Sequence, residues 1–324
     1  MTTTIRRVAI IAVLLLSAPH RAVLCQQIPA LDFTPSVGAP AFEQGRGPVV
    51  LIDEAHNNFH TLGPTIEYDD SQQKVTIPGR FGPFAKLLRG DGYVVRSNNS
   101  RFTQKALDGA SVLVIANAVS EKNLEDWSLP NPSAFDTEEI AALEAWVRDG
   151  GAVLLIADHQ PWPAAAASLA ERFGFLFTNG STDRLKFRRG QGSLRDHAIT
   201  RGRNSSERID SVFTFSGQAF RFALNVTGDP LMVIAENITL TLQSDPFEEL
   251  TEKDPSIRAD GMFQGAVVNF GAGRVAAFGE AAMFTAQVFG EDNQTMGMND
   301  SEAPQNAQFV LNVIHWLTEV LPAE

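Results

Sequence analysis

The chain has 324 residues and a formal net charge of −12. An acidic surface repels phosphate backbones, so the composition argues against nucleic acid as a partner. Cys25 is the only cysteine, which excludes a disulfide framework.

The N-terminus has the organisation of a signal peptide. Two arginines, Arg6 and Arg7, precede an apolar run over residues 8–18 that is too short to span a membrane. We expect residues 1–25 to be removed by cleavage before Gln26 and the protein to be extracytoplasmic, either periplasmic or secreted. If Cys25 leaves with this peptide, a cysteine nucleophile is also excluded.

Cys25 also allows a second interpretation of the N-terminus, as a lipoprotein signal. A lipid on Cys25 would anchor the protein to a membrane surface, but Leu24 is a poor residue directly before a lipidated cysteine. No stretch after residue 25 is apolar enough to predict a membrane span. Residues 26–47 are rich in Pro, Gly and Ala and predict an extended lead-in.

Apolar runs and helical periodicity alternate through the first half of the chain. Buried strands are predicted at 48–53, 93–96, 111–117 and 152–158, with helices at 81–89, 136–149 and 163–173. Asp136, followed three residues later by Glu139, has the spacing of a capping box. This alternation predicts an α/β fold with a parallel sheet and helices on both of its faces.

The second half of the chain favours strands joined by short turns. Strands are predicted at about 211–223, 231–242, 263–270 and 274–278, and a last helix at 304–320. The late strands are expected to extend the sheet, with one edge antiparallel, and a short hairpin is expected near residues 74–77. The interpretation is one domain over residues 48–322.

Polar residues follow each buried strand abruptly. The candidates are Asp53, Glu54, His56, Asn57 and His60 after the first strand, Asn117 after the third, Asp158 and His159 after the fourth, and Glu280 after a late strand. The carboxyl ends of parallel strands share one edge of a sheet, where ligands bind. We therefore expect Glu54, His56, Asp158, His159 and Glu280 to converge in a crevice, with Asp53, Asn57, His60 and Asn117 as ligand contacts.

Each candidate has alternative roles. His56 and His60 would share a helical face and could bind a divalent metal with Asp53 or Glu54, although the asparagines between them favour a loop. No cofactor is required by any motif. Asp158 could orient His159 as a general base, or it could cap the following segment.

Three residues late in the chain complete the list of candidates. Asn306, near the start of the last helix, is expected to face the crevice, whereas Asn312 is expected to satisfy backbone groups. His197 lies in a loop-like segment and is interpreted as structural.

The order of these segments resembles a known family. Residues 51–61, 136–156, 197–202, 273–280 and 306–317 together are similar to the class I glutamine-amidotransferase-like fold. More narrowly, they resemble an uncharacterised bacterial domain related to gliding-motility and intraflagellar-transport proteins. The resemblance implies a flavodoxin-like sheet. In amidotransferases a cysteine follows a central strand, but here the fourth strand ends with Asp158 and His159.

Two functions are compatible with these observations. The missing nucleophile favours a domain that binds a small ligand, such as a sugar or peptide, or a partner protein at the carboxyl edge. The density of histidine and acid favours a metal-assisted or His/carboxylate-dependent hydrolase that uses the same crevice.

Overall fold

The computed structural model describes residues 27–68, 73–245, 251, 254–290 and 292–323, so the predicted signal peptide lies outside the described residues. The strands are β1 (Ile28–Pro29), β2 (Val49–Asp53), β3 (Thr65–Tyr68), β4 (Lys74–Ile77), β5 (Val94–Asn98), β6 (Val112–Ala116), β7 (Ala152–Ile156), β8 (Phe175–Phe177), β9 (Leu185–Arg188), β10 (Ser211–Thr214), β11 (Phe220–Phe222), β12 (Asp229–Val233), β13 (Thr239–Thr241), β14 (Ser256–Arg258), β15 (Phe263–Phe270), β16 (Gly273–Phe278), β17 (Ala286–Phe289) and β18 (Gln294–Gly297).

The α-helices are α1 (Gly82–Gly90), α2 (Gln104–Leu107), α3 (Thr137–Arg148), α4 (Trp162–Arg172), α5 (Ala198–Arg201) and α6 (Asn306–Leu317). Helix α3 begins with the predicted capping box, because Asp136 accepts from the Glu139 backbone and Glu139 accepts from the Asp136 backbone. In the described part of the chain, no helix combines the length and the apolar character needed to cross a membrane.

The main sheet follows the order β5-β2-β6-β7-β16-β15-β11-β8, with β12 also paired to β15. Strands β5, β2, β6, β7 and β16 are parallel, and the remaining strands are antiparallel. The predicted α/β class, the four parallel strands and the antiparallel extension are confirmed. Strand β16 adds a fifth parallel strand, so five carboxyl ends lie at one edge.

Helices cover both faces of the sheet. Successive residues of a strand point to opposite faces, so each strand contributes side chains to two cores. Val50 and Ile52 of β2 belong to the core that contains α1 and α6. Leu51 belongs to the opposite core, which contains α3 and α4. Burying one such aliphatic side chain contributes about 1.5–3 kcal/mol, so a strand apolar at every position is stabilised from both sides.

Two predicted long strands are each divided. Residues 211–223 form β10 and β11, which belong to different sheets, because the chain turns at Gly217, where φ is 108°. Residues 231–242 likewise form β12 and β13, separated by a turn containing Asn237 at φ 68°. Periodicity in the sequence does not register a positive φ, so these boundaries were wrong.

The lead-in packs against the rest of the protein. Strand β1 pairs with β17, and the Ala41 backbone donates to Asp91 Oδ1 at 2.9 Å. The other oxygen of Asp91 lies 2.6 Å from His315 Nε2 on α6, and both side chains are fully buried. This pair connects the lead-in, the C-terminal end of α1 and the last helix.

Candidate functional site

Polar residues occupy the carboxyl edge of the parallel strands, as their positions in the sequence predict. Asp53 is the last residue of β2, Asn117 follows β6, Asp158 lies two residues after β7, and Glu280 lies two residues after β16. All four are buried. Buried polar groups need hydrogen-bond partners, and those partners define what each residue does.

Asp158 and Glu280 form a buried acid pair that holds the turn after β16. Asp158 accepts from the backbones of His159 and Ala281, at 2.9 and 3.1 Å. Glu280 accepts from the backbones of Ala282 and Met283, at 2.8 and 2.9 Å. Burial raises the pKa of both carboxyls, and the neighbouring Asp158 charge raises the pKa of Glu280 further. The pair therefore favours holding a proton.

Asn117 joins the acid pair to the loop after β2. Its Oδ1 accepts from the Asp158 backbone at 3.0 Å, and its Nδ2 lies 3.2 Å from His60 Nδ1. An amide nitrogen only donates, so His60 Nδ1 is an acceptor and the ring is neutral. Burial, followed by the charges of Arg80 and His159, lowers the pKa of His60 well below 6.5, which agrees with a neutral ring.

His159 is half-buried beside aromatic rings at the same edge. Its Nδ1 donates to the Gln160 carbonyl at 2.8 Å, which leaves Nε2 without a protein partner among the described residues. The imidazole lies 4.8 Å from the Trp162 ring and 6.5 Å from the Trp127 ring, centre to centre. His159 is thus held in a fixed orientation with one nitrogen available.

A small depression adjoins His159, and it is lined by Gln160, residues 179–181, Thr241 and Gln243. Its free volume is about 10 Å³, which is room for one water. The amide nitrogen of Gln160 donates to the carbonyls of Trp127 and Ser244, so its orientation is fixed. Its Oε1 is buried and has no hydrogen-bond partner in the part of the chain that the structure describes. Gln160 thus lines the depression and also carries an unused acceptor.

His56 belongs to a second cluster, with a partner that the sequence did not indicate. Its Nδ1 lies 3.0 and 2.9 Å from the two Asp53 oxygens, and its Nε2 lies 2.9 Å from Glu139 Oε1. Phe102 and Phe135 cover the ring, with centroids at 4.4 and 4.8 Å. Burial lowers the pKa of His56, but the hydrogen bonds and charges of Asp53 and Glu139 outweigh it, so the pKa lies above 6.5.

Glu54 and Asn57 hold the loop after β2 in place. Glu54 Oε1 accepts from the backbones of Leu62 and Gly63, at 2.7 and 3.1 Å, and from Ser97 at 3.0 Å. Asn57 is exposed, has a φ of 50°, and donates to a backbone carbonyl at 3.3 Å. These contacts stabilise the loop.

Two late candidates interact with backbone groups. Asn306 accepts from the Phe213 backbone and donates to the Phe213 carbonyl, so its side chain is used in the attachment of β10 and does not reach the edge cluster. His197 accepts from the Ile199 backbone at 3.1 Å and caps α5, and Asn312 donates to two backbone carbonyls. These last two arrangements agree with the structural roles expected for them.

The candidates therefore separate into groups. Asp158, His159, Glu280, Asn117 and His60 lie together at the carboxyl edge. His56 and Asp53 form a cluster with Glu139, and Glu54 contacts the loop. No hydrogen bond or ion pair of the described residues joins Glu54 or His56 to Asp158 or Glu280.

Sequence reasoning missed Glu139, Gln160, Trp127 and Trp162 as members of these clusters. Glu139 was recognised only as part of a capping box, a local pattern that gives no indication of His56, 83 positions away. Trp162 could have been suspected, because it follows the polar end of β7 by only a few residues.

A divalent metal does not fit His56 and His60. Residues 54–64 form a loop, so the two imidazoles share no helical face, and both nitrogens of His56 already contact carboxylates. Among the described residues, no group of three or more His, Cys, Asp or Glu side chains is arranged to hold an ion.

Comparisons with known proteins identify a fold. No family model matches the chain, and no curated protein matches it. Among solved structures, the "mmIFT52 N-terminal domain" has a TM-score of 0.51 at 13% identity, over 83% of this chain and 97% of that one. This likeness shows a shared fold.

Two further solved structures are similar at lower scores. A ThuA-like protein from Bacteroides uniformis has a TM-score of 0.45 at 14% identity, over 88% of this chain and 94% of that one. A cytoplasmic protein from Salmonella typhimurium has a TM-score of 0.45 at 13% identity, over 83% and 98%.

Proposed function

We propose that this chain is an exported amidotransferase-like domain, without the catalytic cysteine, that binds a small polar ligand at the carboxyl edge beside His159. The ligand is a sugar or the end of a peptide. The observation that carries this proposal is that two neighbouring residues of one depression, His159 and Gln160, each have an atom without a partner among the described residues, Nε2 and the buried Oε1.

The chemistry of these atoms defines the ligand group. Gln160 Oε1 only accepts, so the ligand must donate to it. His159 uses Nδ1 to donate to a carbonyl, which leaves Nε2 for a ligand. Hydroxyl and amide groups provide such donors. A depression with room for one water admits a single group of this kind, while the rest of the ligand lies outside it.

Titration calorimetry tests this proposal with a panel of mono- and disaccharides and short peptides. For a ligand that binds, His159→Ala should weaken affinity about fivefold, since one hydrogen bond contributes about 1 kcal/mol. Arg96→Ala serves as the control, because Arg96 is an exposed residue of β5, at the opposite end of the sheet order from β8, which leads into the depression. Unchanged affinity in His159→Ala, or no binding from the whole panel, would contradict the proposal.

Export is a separate part of the proposal and is supported by Arg6, Arg7 and the apolar run that follows. N-terminal sequencing of the mature protein should begin at Gln26. A mature protein that retains residues 1–25 would refute export, whereas a lipid on Cys25 would support the anchored form.

A second candidate function is hydrolysis, with His159 as the base. It is favoured by the position of His159 beside the acid pair of Asp158 and Glu280, whose carboxyl pKa values are raised by burial. Every oxygen of that pair already accepts a backbone hydrogen bond, which favours binding over catalysis. Product formation from a bound panel compound, abolished in His159→Ala, would support the hydrolase.

A further inference from the structure

The His56 cluster lies outside the depression at His159 and has a chemistry of its own. Ionised carboxylates only accept hydrogen bonds, and His56 faces a carboxylate at each ring nitrogen. Both nitrogens must therefore carry hydrogen, so the ring is a buried imidazolium between Asp53 and Glu139. The side chain is only 6% exposed, so water does not replace these bonds.

Charged groups face this imidazolium from three segments. Asp53 comes from β2, and Glu139 comes from the first turn of α3. Arg101, from the loop before α2, pairs with Asp136 and lies 3.5 Å from Glu139 Oε2. Of these charged groups in the described residues, only the two carboxylates contact the ring, so its proton compensates their charge within a site covered by phenylalanine rings.

The imidazolium holds the loop that reaches the carboxyl edge. The His56 backbone donates to Asn58 Oδ1 at 3.1 Å, and its carbonyl accepts from the Val119 backbone at 3.0 Å. Three residues later, the Phe59 backbone donates to the Asn117 carbonyl at 3.0 Å. His56 is thus the side-chain attachment between this loop and helix α3.

We propose that the bridge from Asp53 through His56 to Glu139 is a proton-dependent latch on residues 54–61. With its proton, the imidazole attaches the loop to α3. Without it, one nitrogen presents a lone pair to a carboxylate oxygen about 2.9 Å away, and when that nitrogen is Nε2 the attachment to α3 is lost. The loop that positions Phe59 and His60 at the carboxyl edge then separates from α3.

The direction of the pH dependence follows from the pKa of His56, which lies above its usual value of 6.5 because of Asp53 and Glu139. A raised pKa in the folded protein gives stability that is complete below pH 6.5 and is lost as pH rises through the folded value. The loop should therefore be held below pH 6.5 and released as the pH rises through the folded-state pKa of His56.

Hydrogen–deuterium exchange between pH 5.5 and 9 tests the latch on the full mature chain. After correction for the intrinsic pH dependence of exchange, protection of residues 54–61 should fall as the pH rises above 6.5, while protection of β6 and β7 persists. ¹⁵N resonances of the His56 ring should report loss of its proton over the same pH range. A loop that remains protected to pH 9 while His56 deprotonates would overturn the proposal.

Glu139→Gln provides the decisive variant. Glutamine keeps an acceptor for Nε2 and still fits a capping box. It removes one negative charge beside the His56 ring, so the pH midpoint at which the loop is released should fall by about one unit. Glu138→Gln is the matched control, because Glu138 is an exposed acid of the same helical turn and should leave the midpoint unchanged. Equal midpoints in Glu139→Gln and the wild type would refute the latch.

Asp53→Asn gives an independent test at the other ring nitrogen. It also removes one charge, keeps an acceptor for Nδ1, and should lower the midpoint by a similar amount. If Glu139→Gln fails to fold, a midpoint unchanged in Asp53→Asn would refute the proposal.

Discussion

Replacing Asn117 with Ala should destabilise the protein more than an equivalent change at any exposed loop position, because Asn117 joins two segments of the carboxyl edge. Its side chain is fully buried, accepts from the Asp158 backbone at 3.0 Å, and approaches His60 Nδ1 at 3.2 Å. Its backbone has φ of 50°, a left-handed conformation that asparagine tolerates better than alanine.

The magnitude has two components. The variant leaves the buried Asp158 N–H without a partner, which costs about 1–3 kcal/mol. Alanine in a left-handed conformation costs about 1 kcal/mol more. The free energy of unfolding should therefore fall by about 2–4 kcal/mol.

Asn57→Ala separates these components. Asn57 also has φ of 50°, but its side chain is exposed and makes a single 3.3 Å bond to a carbonyl. This variant should lose only about 1 kcal/mol, mainly from the backbone conformation. Urea denaturation followed by circular dichroism gives both values, with unchanged m-values as the condition for comparing them. Equal losses in the two variants would refute the role given to the Asn117 side chain.

Two further predictions concern stability. His197→Asn should reduce the loss of unfolding free energy on acidification, because burial and then the Arg201 charge lower the pKa of His197 to about 4. The stability that neutral His197 contributes is complete above pH 6.5 and is lost as pH falls, whereas asparagine does not titrate and still caps α5. An unchanged dependence of unfolding free energy on pH from 7 to 4 would contradict this. Gly217→Ala should destabilise the fold by more than about 2 kcal/mol, because a Cβ there would lie 2.2 Å from the Gly279 carbonyl oxygen. Gly261→Ala should cost only about 1 kcal/mol, because Gly261 has φ 71° but no atom within 4 Å of the added Cβ. Thermal unfolding should therefore show a larger loss of stability in Gly217→Ala than in Gly261→Ala.

The sequence predicted the fold well where local patterns determine it. Strands β2, β6 and β7 are apolar at almost every position because both of their faces are covered, and this pattern is visible without coordinates. The capping box at Asp136 is likewise visible in the sequence, because it involves only residues three positions apart. The divisions at Gly217 and Asn237 were missed, because a positive φ at a turn leaves the apolar pattern on either side intact.

The candidate site was less predictable, because its contacts join distant segments. Asp158 and Glu280 were placed at one edge by strand order alone, and they lie together there. His56 was expected beside them, but it contacts Glu139, a residue whose spacing indicated only a helix cap. The partners of a buried histidine depend on which helix packs over it, and a single sequence does not contain that information.

The most direct measurement of the proposed binding is NMR of protein labelled with ¹⁵N-histidine and titrated with the tightest ligand of the sugar and peptide panel. We predict that the Nε2 resonance of His159 shifts with the same affinity that calorimetry gives, while the resonances of His197, a buried residue that caps α5, stay unchanged. A ligand that binds and leaves the His159 resonances where they were would contradict the central claim.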